Sequence, residues 1–296
     1  MQKVIINNNN EEHSLVYGLG SGFVYACGGA GKWKENLPNI LNSFGNSVLI
    51  STVDIPIVAA EIIYNTVGQS RLYLDSGGFT LYKKEKELGT DNLEFQKLCL
   101  KMKNKFLKLL SLIKVKECFE LDNEFFRVDE DLLSPLNYCR EEIKAVSGFY
   151  PTPVFKMHQG FEYWKRLCES DLYPKLSIGG LAATREWGTR TEELALMMQY
   201  ARQCGKKVHC LGMQNVQGFK QIQPDTVDYS IFQYAINLQR AKKEHPELLE
   251  YADLKKHTVL YALSAANSRS FLYDCYKIGD GIEEAEDAAL LEGIKL

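Results

Sequence analysis

Residues 72–79 have the sequence LYLDSGGF, in which a short apolar run ends in an aspartate, a serine and two glycines. This form is typical of a buried β-strand that closes in a turn, because glycine adopts turn conformations without steric cost. Three further segments also pass from a short strand-like run into a polar residue or a glycine: 118–122 (CFELD), 175–180 (KLSIGG) and 207–212 (KVHCLG). We interpret all four as candidate parallel strands.

Longer amphipathic segments separate these short runs, and the alternation indicates repeated units of β-strand and α-helix. The predicted strands are 48–53, 72–74, 118–121, 152–157, 175–178, 207–211 and 226–230. The predicted helices are 57–67, 94–113, 131–146, 161–170, 191–204 and 219–223. Seven or eight such units favour a closed α/β barrel over an open doubly wound sheet, which would carry a GxGxxG turn after its first strand.

The composition is that of a folded globular protein. Of the 296 residues, 45% are hydrophobic, and 35 Lys and Arg against 38 Asp and Glu give a formal net charge of −3. These values exclude disordered, collagen-like and coiled-coil classes. No repeat or linker divides the chain, so we predict a single domain over 1–296, with a barrel core over about 45–235 and a helical C-terminal segment over about 236–296. That segment includes a helix predicted over 257–276.

The eight cysteines are dispersed and form no CxxC motif, which argues against both a disulfide scaffold and a zinc knuckle. No signal peptide is recognisable and no apolar window is long enough for a bilayer, so the sequence predicts a soluble, cytoplasmic protein. A net charge of −3 provides no general attraction for nucleic acid. Such a partner would have to meet a local basic face.

One segment is strongly basic, because residues 83–114 carry nine lysines against four acidic residues, a local charge of +5. The helix predicted over 94–113 lies within it, and its apolar residues recur every three or four positions. Four lysines share another face of this helix, namely Lys97, Lys101, Lys105 and Lys108. This face is either an ordinary solvated surface or a surface that contacts phosphates, for which Arg185 and Arg190 are the alternative candidates.

In an α/β barrel the chemistry lies at the carboxyl ends of the strands. The residues at these ends include three carboxylates, one amide and three glycine turns: Asp75 with Ser76 to Phe79, Asp122, His158-Gln159-Gly160, Gly179-Gly180-Leu181, Leu211-Gly212 and Asp228. A single aspartate after a strand usually caps a helix or closes a turn. Three of them at the strand ends of one barrel indicate a catalytic pocket.

Such a pocket suits glycosyl transfer, in which one carboxylate attacks an anomeric carbon, a second transfers protons, and a third binds the base edge with the amide. Glycines let the backbone approach a flat ligand, on which Phe79 would stack. An aldolase or a decarboxylase would also fit, although both usually need a lysine or a metal set at these ends. Strand alternation predicts that Lys156 points away from the pocket, in a structural role.

Several of these segments resemble motifs of the tRNA-guanine transglycosylases, in that family's order over residues 72–232. LDSGGF at 74–79 looks like their DSGG-aromatic motif, and SIGGLA at 177–182 looks like their GGLA loop. HQG at 158–160 resembles their VQG segment, CLG at 210–212 their LMG segment, and DTVD at 225–228 their DxxD strand. The first two motifs at this separation form a fairly specific pair.

The resemblance implies a (β/α)8, or TIM, barrel and a guanine-exchange reaction without a cofactor. Asp228 would be the nucleophile of a covalent glycosyl-enzyme intermediate, and Asp75 the general acid and base. The residues implied to bind the base are Ser76, Phe79, Asp122, Gln159, Gly179, Gly180, Leu181 and Leu211. Among these, Phe79 and Leu211 would sandwich the ring, with leucine where the family usually has methionine.

The chain departs from the tRNA-modifying enzymes in its C-terminal part. Those enzymes bind zinc through a CxCxxC motif and a distal histidine, whereas residues 231–296 contain only Cys275, His245 and His257, which cannot form that site. Their zinc subdomain helps to hold RNA. The resemblance therefore points to the zinc-less, DNA-modifying relatives of bacteria and phages. It implies DNA as the polymer partner, a free 7-deazaguanine base as co-substrate, and the host cytoplasm for a phage-encoded chain.

Three other functions stay open on the sequence alone. They are guanine exchange in tRNA, hydrolysis of a nucleoside with water in place of the incoming base, and binding of a base or nucleic acid without catalysis. The lysine-lined helix after the DSGGF segment favours a polynucleotide over a small molecule. The presence of both Asp75 and Asp228 favours catalysis over binding alone.

Overall fold

The computed structural model describes residues 5–6, 12–19, 34–35, 37–38, 41–42, 47–126, 138–181, 189–213 and 221–229. The strands are β1 (Ile5–Ile6), β2 (Glu12–Leu19), β3 (Ser47–Ser51), β4 (Leu72–Asp75), β5 (Glu117–Cys118), β6 (Val154–Phe155), β7 (Lys175–Ile178), β8 (Lys207–Cys210) and β9 (Thr226–Tyr229). The helices are α1 (Ile57–Val67), α2 (Gly78–Leu88), α3 (Leu93–Leu112), α4 (Tyr138–Ser147), α5 (Phe161–Glu169) and α6 (Thr191–Gln203). The chain therefore has the mixed α/β fold that its sequence predicts.

Strands β2 to β9 pair in parallel in the order β5-β4-β3-β2-β9-β8-β7-β6, and β1 adds to β2 in the antiparallel sense. The chain segments beside β5 and β6 also meet, because a parallel bridge joins Phe119 to Thr152. The amide of Thr152 donates to the carbonyl of Cys118 at 2.8 Å, and the amide of Glu120 donates to the carbonyl of Thr152 at 3.0 Å. The parallel order brings the carboxyl ends of these strands to one side of the fold.

Three of these elements, β1, β2 and α2, are not among the predicted ones. Strand β2 lies in the middle of the order, between β3 and β9, although the predicted strands begin only at residue 48. Its sequence, EHSLVYGL, starts with three polar residues and follows a run of four asparagines, so its apolar pattern is short. Pairing with a strand on each side determines its conformation. Helix α2 was also missed, because its sequence is mostly polar after Leu81.

The sheet has a different hydrophobic environment on each face, since successive side chains of a strand point to opposite sides. One face packs against the helices in a large core, to which α3 contributes Phe95, Met102 and Phe106. Helix α3 begins after Asn92, whose side chain caps the first turn, and it agrees with the predicted helix 94–113 within one residue at each end. The other face carries a small cluster formed by Val16, Leu49, Tyr73, Phe119 and Val154.

Several predicted features lie outside the described residues. They are the C-terminal segment 236–296 with its helix over 257–276, the first part of the predicted helix 131–146, the first two residues of the predicted helix 219–223, and Arg185. Within the described ranges, the structure contains no helix with the length and apolarity needed to cross a membrane.

Candidate active site

The structure brings together three aspartates that follow or end parallel strands. Asp75 is the last residue of β4, Asp228 lies in β9, and Asp122 follows β5 by four residues. Burial raises the pKa of Asp75 to about 7, and the charges of Asp122 and Asp228 act in the same direction. Hydrogen bonds from Gly77 and Ser51 oppose this rise in the pKa. At neutral pH the group therefore contains one carboxyl that exchanges its proton readily.

The turn after β4 holds Asp75 in place and requires glycine. The amide of Gly77 donates to Oδ2 of Asp75 at 3.0 Å. Thr52, after the neighbouring strand β3, donates to the carbonyl of Asp75 through its amide at 3.0 Å and its hydroxyl at 2.8 Å. Gly77 has a φ of +85°, and a Cβ there would lie 2.1 Å from Cγ2 of Val53. Both the backbone angle and the close packing exclude a side chain at this position.

Asp122 packs directly against the start of α2. A Cβ on Gly78 would lie 1.9 Å from Oδ1 of Asp122, so glycine is needed there for the carboxylate to occupy its position. The hydroxyl of Ser76 lies 3.3 Å from the same oxygen and donates to it. The carboxylate is thus held between the turn that carries Asp75 and the side chain of Lys156.

Lys156 belongs to this group, contrary to the prediction that it points away. Its Nζ lies 3.8 Å from Oδ2 of Asp122 and donates to the carbonyl oxygen of the same residue. The prediction was wrong because Val154, two residues earlier, faces the small cluster, and residues two apart lie on the same side of a strand. The group of side chains around Asp75 therefore includes an ammonium beside one of its carboxylates.

Asp228 is held by a side chain of β8 and by a backbone amide that follows β8. Its Oδ1 accepts a hydrogen bond from the amide of Gly212, and it lies 3.3 Å from Nε2 of His209. The sequence interpretation did not include His209. Side chains alternate between the two faces along β8, so His209 lies on the same face as Leu211, two residues later. Leu211 packs against the small cluster, and this shared face is the sequence signal that points to His209.

The neighbouring acidic residue, Asp225, has a different position and a different role. It precedes β9, and its Oδ2 accepts a hydrogen bond from the amide of Val208 at 2.8 Å. Val208 lies near the start of β8, so this contact joins the amino ends of two strands. Of the two aspartates in the DTVD segment, Asp228 alone lies beside the groups around Asp75.

The glycines after β7 lie close to Asp122 and Lys156. A Cβ on Gly179 would lie 2.6 Å from Cγ1 of Val154 and 4.0 Å from Oδ2 of Asp122. Gly180 has a φ of +84° and passes near the side chain of Lys156. The Leu181 side chain, in contrast, is buried in the large core, so the predicted contact of Leu181 with a base would have to use its backbone.

Two further predicted base-binding residues lie next to these elements. Phe79 occupies the first turn of α2, directly after Gly78, and its ring is 52% exposed with Nζ of Lys83 at 4.2 Å from its centroid. Gln159 ends a short 3-10 helix, Met157–Gln159, and its Oε1 accepts a hydrogen bond from the amide of Lys156 at 2.8 Å. Phe79 thus presents an exposed aromatic surface, and Gln159 supports the segment that carries Lys156.

The predicted lysine face of α3 is not uniform. Lys97, Lys101 and Lys108 are exposed. Lys105 is partly buried, donates to the carbonyl of Val53 at 3.2 Å, and has its pKa lowered by that burial. Its ammonium therefore lies against the loop after β3, whereas the other three side chains extend from the helix surface.

Arg190, the alternative candidate for phosphate contact, precedes α6 and lies 3.3 Å from the carboxylate of Glu193. Within the described ranges, the structure contains no group of three or more His, Cys, Asp or Glu side chains arranged to hold a metal ion. Comparison of the sequence with protein-family models and with curated proteins finds no match.

Proposed function

We propose that this protein is a glycosyl-transfer enzyme that exchanges guanine in DNA for a 7-deazaguanine base through a covalent intermediate on Asp228. The observation that carries the proposal is the meeting of Asp75, Asp122 and Asp228, in which Asp75 has a pKa of about 7. Base exchange at a sugar needs both an ionised carboxylate as nucleophile and a carboxyl group that gives and takes a proton. This site offers carboxyl groups suited to both roles.

We further infer that the parallel strands close into a (β/α)8 barrel. The bridge between Phe119 and Thr152 supports this inference, because it links the two ends of the strand order. The small cluster would then fill the barrel interior beneath the three aspartates. Catalytic groups of such barrels lie at the carboxyl ends of the strands, which is where the three aspartates are found.

In the first half of the reaction, Oδ2 of Asp228 attacks C1′ of the deoxyribose while the bond from C1′ to N9 of guanine breaks. Oδ1 is engaged by Gly212 and His209, so Oδ2 is the oxygen left for attack. Asp75 donates its proton to the departing guanine, which leaves as the neutral base. A pKa near 7 suits this role, because a sizeable fraction of Asp75 is protonated at neutral pH.

In the second half, N9 of the 7-deazaguanine attacks C1′ and the ester bond to Asp228 breaks. The proton on N9 passes to Asp75, which restores the starting state of the enzyme. Asp122 is suited to hold both bases, because a carboxylate accepts hydrogen bonds from the N1 and N2 donors of the guanine edge. Ser76 and Lys156 orient that carboxylate.

A polynucleotide substrate is supported by the exposed lysines on α3. Lys97 and Lys101 belong to the half of the helix that precedes Met102, which lies 2.9 Å from the Cβ position of Gly77 in the turn after Asp75. These lysines therefore lie on the helix that packs against the catalytic turn. The resemblance to the zinc-less, DNA-modifying relatives supports DNA over tRNA as the polymer.

The decisive experiment is mass spectrometry of nucleosides from the DNA and the tRNA of cells that express the protein and are supplied with 7-deazaguanine bases. We expect a 7-deazaguanine nucleoside in DNA with the wild-type protein and none with Asp228→Asn. Asp225→Asn is the matched control, because this aspartate holds the amide of Val208 at the other end of the strands; it should retain exchange. Modification confined to tRNA, or retained in Asp228→Asn, would contradict the proposal.

A denaturant-stable adduct between the protein and guanine-containing DNA separates the remaining alternatives. Base exchange through Asp228 predicts that the adduct accumulates when the incoming base is omitted. A barrel that only binds nucleic acid forms no adduct, and a nucleoside hydrolase releases guanine from deoxyguanosine as fast as from DNA.

A further inference from the structure

We propose that His209 is a positioning residue that fixes the orientation of the Asp228 carboxylate, and that Thr226 fixes the tautomer of His209. This inference rests on the proposed role of Asp228 as nucleophile and assigns a function to two side chains that lie beneath it. Neither side chain touches the reacting atoms in the proposed reaction.

The three side chains form a continuous chain of hydrogen bonds across two paired strands. His209 is opposite Thr226 in the register of β8 and β9. Its Nδ1 lies 2.7 Å from the hydroxyl oxygen of Thr226, and its Nε2 lies 3.3 Å from Oδ1 of Asp228. Because an ionised carboxylate only accepts hydrogen bonds, Nε2 must carry the proton. In the tautomer with hydrogen on Nε2, Nδ1 accepts from the hydroxyl of Thr226.

The imidazole ring is held in place by aromatic packing. His209 is only 2% exposed. The centroid of its ring lies 4.7 Å from that of Phe119, and 6.4 Å from that of Tyr73 with an angle of 27° between the two planes. Both aromatic residues belong to the small cluster. Rotation of the ring would disturb this packing, so the direction of the Nε2–H bond is set by the surrounding core.

Two donors on one carboxylate oxygen give the nucleophile a single orientation. The amide of Gly212 and Nε2 of His209 both engage Oδ1 of Asp228, and so Oδ2 is directed as the attacking atom. A nucleophile that is already oriented loses less freedom on the way to the transition state.

A purely structural role for His209 is distinguishable from a positioning role by two substitutions at the same site. His209→Phe retains an aromatic ring of similar size against Phe119 and Tyr73 but removes both nitrogens. His209→Gln restores an amide donor near the position of Nε2. Thr226→Val is nearly isosteric and removes the hydroxyl that selects the tautomer, without a change in the contact to Asp228 itself.

The test compares these variants in single-turnover exchange on DNA. Losing one hydrogen bond to a charged group lowers a rate about 10- to 100-fold. For His209→Phe we expect a fall of this size in the rate of adduct formation, while KM for DNA stays unchanged. His209→Gln should recover most of the loss, and Thr226→Val should show a smaller decrease. Wild-type rates in a folded His209→Phe protein, or no recovery in His209→Gln, would overturn the proposal.

A second measurement does not depend on catalysis. In 15N NMR spectra of histidine-labelled protein, the proposal predicts that His209 is in the tautomer with hydrogen on Nε2. The tautomer with hydrogen on Nδ1 would overturn it. A wild-type protein without exchange activity would contradict the proposed function instead, while the tautomer would still decide whether His209 donates to Asp228.

Discussion

At the scale of single residues, the site is built at a cost to stability. Asp75 is partly buried beside two other carboxylates, and this environment raises its pKa to about 7. The pKa of an aspartate in the unfolded chain is about 4. Between these values the unfolded chain binds fewer protons than the folded protein, so this residue lowers the stability as the pH rises.

Substitution of Asp75 by asparagine should therefore stabilise the protein in a pH-dependent manner. We expect Asp75→Asn to raise the free energy of unfolding by about 1–3 kcal/mol near pH 8 and to have little effect near pH 3, where the carboxyl is mostly protonated in both states. Urea denaturation at the two pH values measures this difference. Asp91→Asn, at an exposed aspartate, is the control and should show no such dependence. An equal effect of Asp75→Asn at both pH values would contradict the assigned pKa.

The position of Asp122 depends on the missing side chain at Gly78, since a Cβ there would lie 1.9 Å from its Oδ1. We expect Gly78→Ala to displace the carboxylate and to lower base exchange by about 100-fold or more, as for other misplaced catalytic groups, while the protein stays folded. Exchange kinetics and circular dichroism measure the two effects.

Gly89→Ala provides the matched control at the other end of α2. Gly89 has a φ of +87°, and a Cβ at this position would have no neighbouring atom within 4 Å, so alanine there costs stability through backbone strain alone. It should leave exchange unchanged. If both alanine variants lose the same activity, the effect of Gly78→Ala does not come from Asp122.

At the scale of elements, α3 combines a packing face with a basic face. Its apolar residues are buried in the large core, and Met102 reaches the turn that carries Asp75. Lys103 pairs with Glu142 of α4 at 2.8 Å, whereas Lys97, Lys101 and Lys108 extend from the surface. One helix therefore supports the turn that carries Asp75 and presents cations to solvent.

Replacement of the three exposed lysines by glutamine should weaken the binding of DNA and its dependence on salt. Each lost phosphate contact reduces the slope of log K against log salt by roughly 0.7 to 0.9. The exchange rate at saturating DNA should not change, because no proposed catalytic group is altered. Binding measured at several salt concentrations tests this prediction. Lys103→Gln is the control, and an unchanged slope in the triple variant would identify the face as an ordinary solvated surface.

At the scale of the whole molecule, a buried ion pair reinforces the place where β5 and β6 meet. Arg140 of α4 donates to the carboxylate of Glu120 through Nε at 2.7 Å and to the hydroxyl of Tyr173 at 2.9 Å. The other oxygen of Glu120 accepts from the amide of Val154 at 2.7 Å. Both charged side chains are buried away from water, so each charge is stabilised by its partner.

Removal of one partner should destabilise the fold strongly. We expect Glu120→Ala to lower the free energy of unfolding by about 3–5 kcal/mol, because the guanidinium of Arg140 stays buried without its carboxylate. Chemical denaturation measures the loss. Glu162→Ala removes an exposed partner of Lys165 and should cost at most about 1 kcal/mol. A loss of that small size in Glu120→Ala would show that the pair does not stabilise this junction.

The sequence alone determined many of the local elements and the positions of the candidate catalytic groups along them. The predicted helix 57–67 and the predicted strand 175–178 agree with α1 and β7 at both ends. Such elements are encoded by the periodicity of neighbouring residues, which needs no distant contact. The prediction that three aspartates at strand ends would converge also required only a local pattern, because parallel strands present their carboxyl ends on the same side.

Tertiary structure alone decided which side chains accompany those aspartates. The ammonium of Lys156 reaches a residue 34 positions away, and His209 meets Asp228 across 19 positions. Alternation along a strand specifies the side to which a residue points, but its partner depends on the register between strands and on the turns beside them. Strand β2 shows the same dependence on distant contacts. Its apolar pattern is short, and it forms a central strand because it pairs with β3 on one side and β9 on the other.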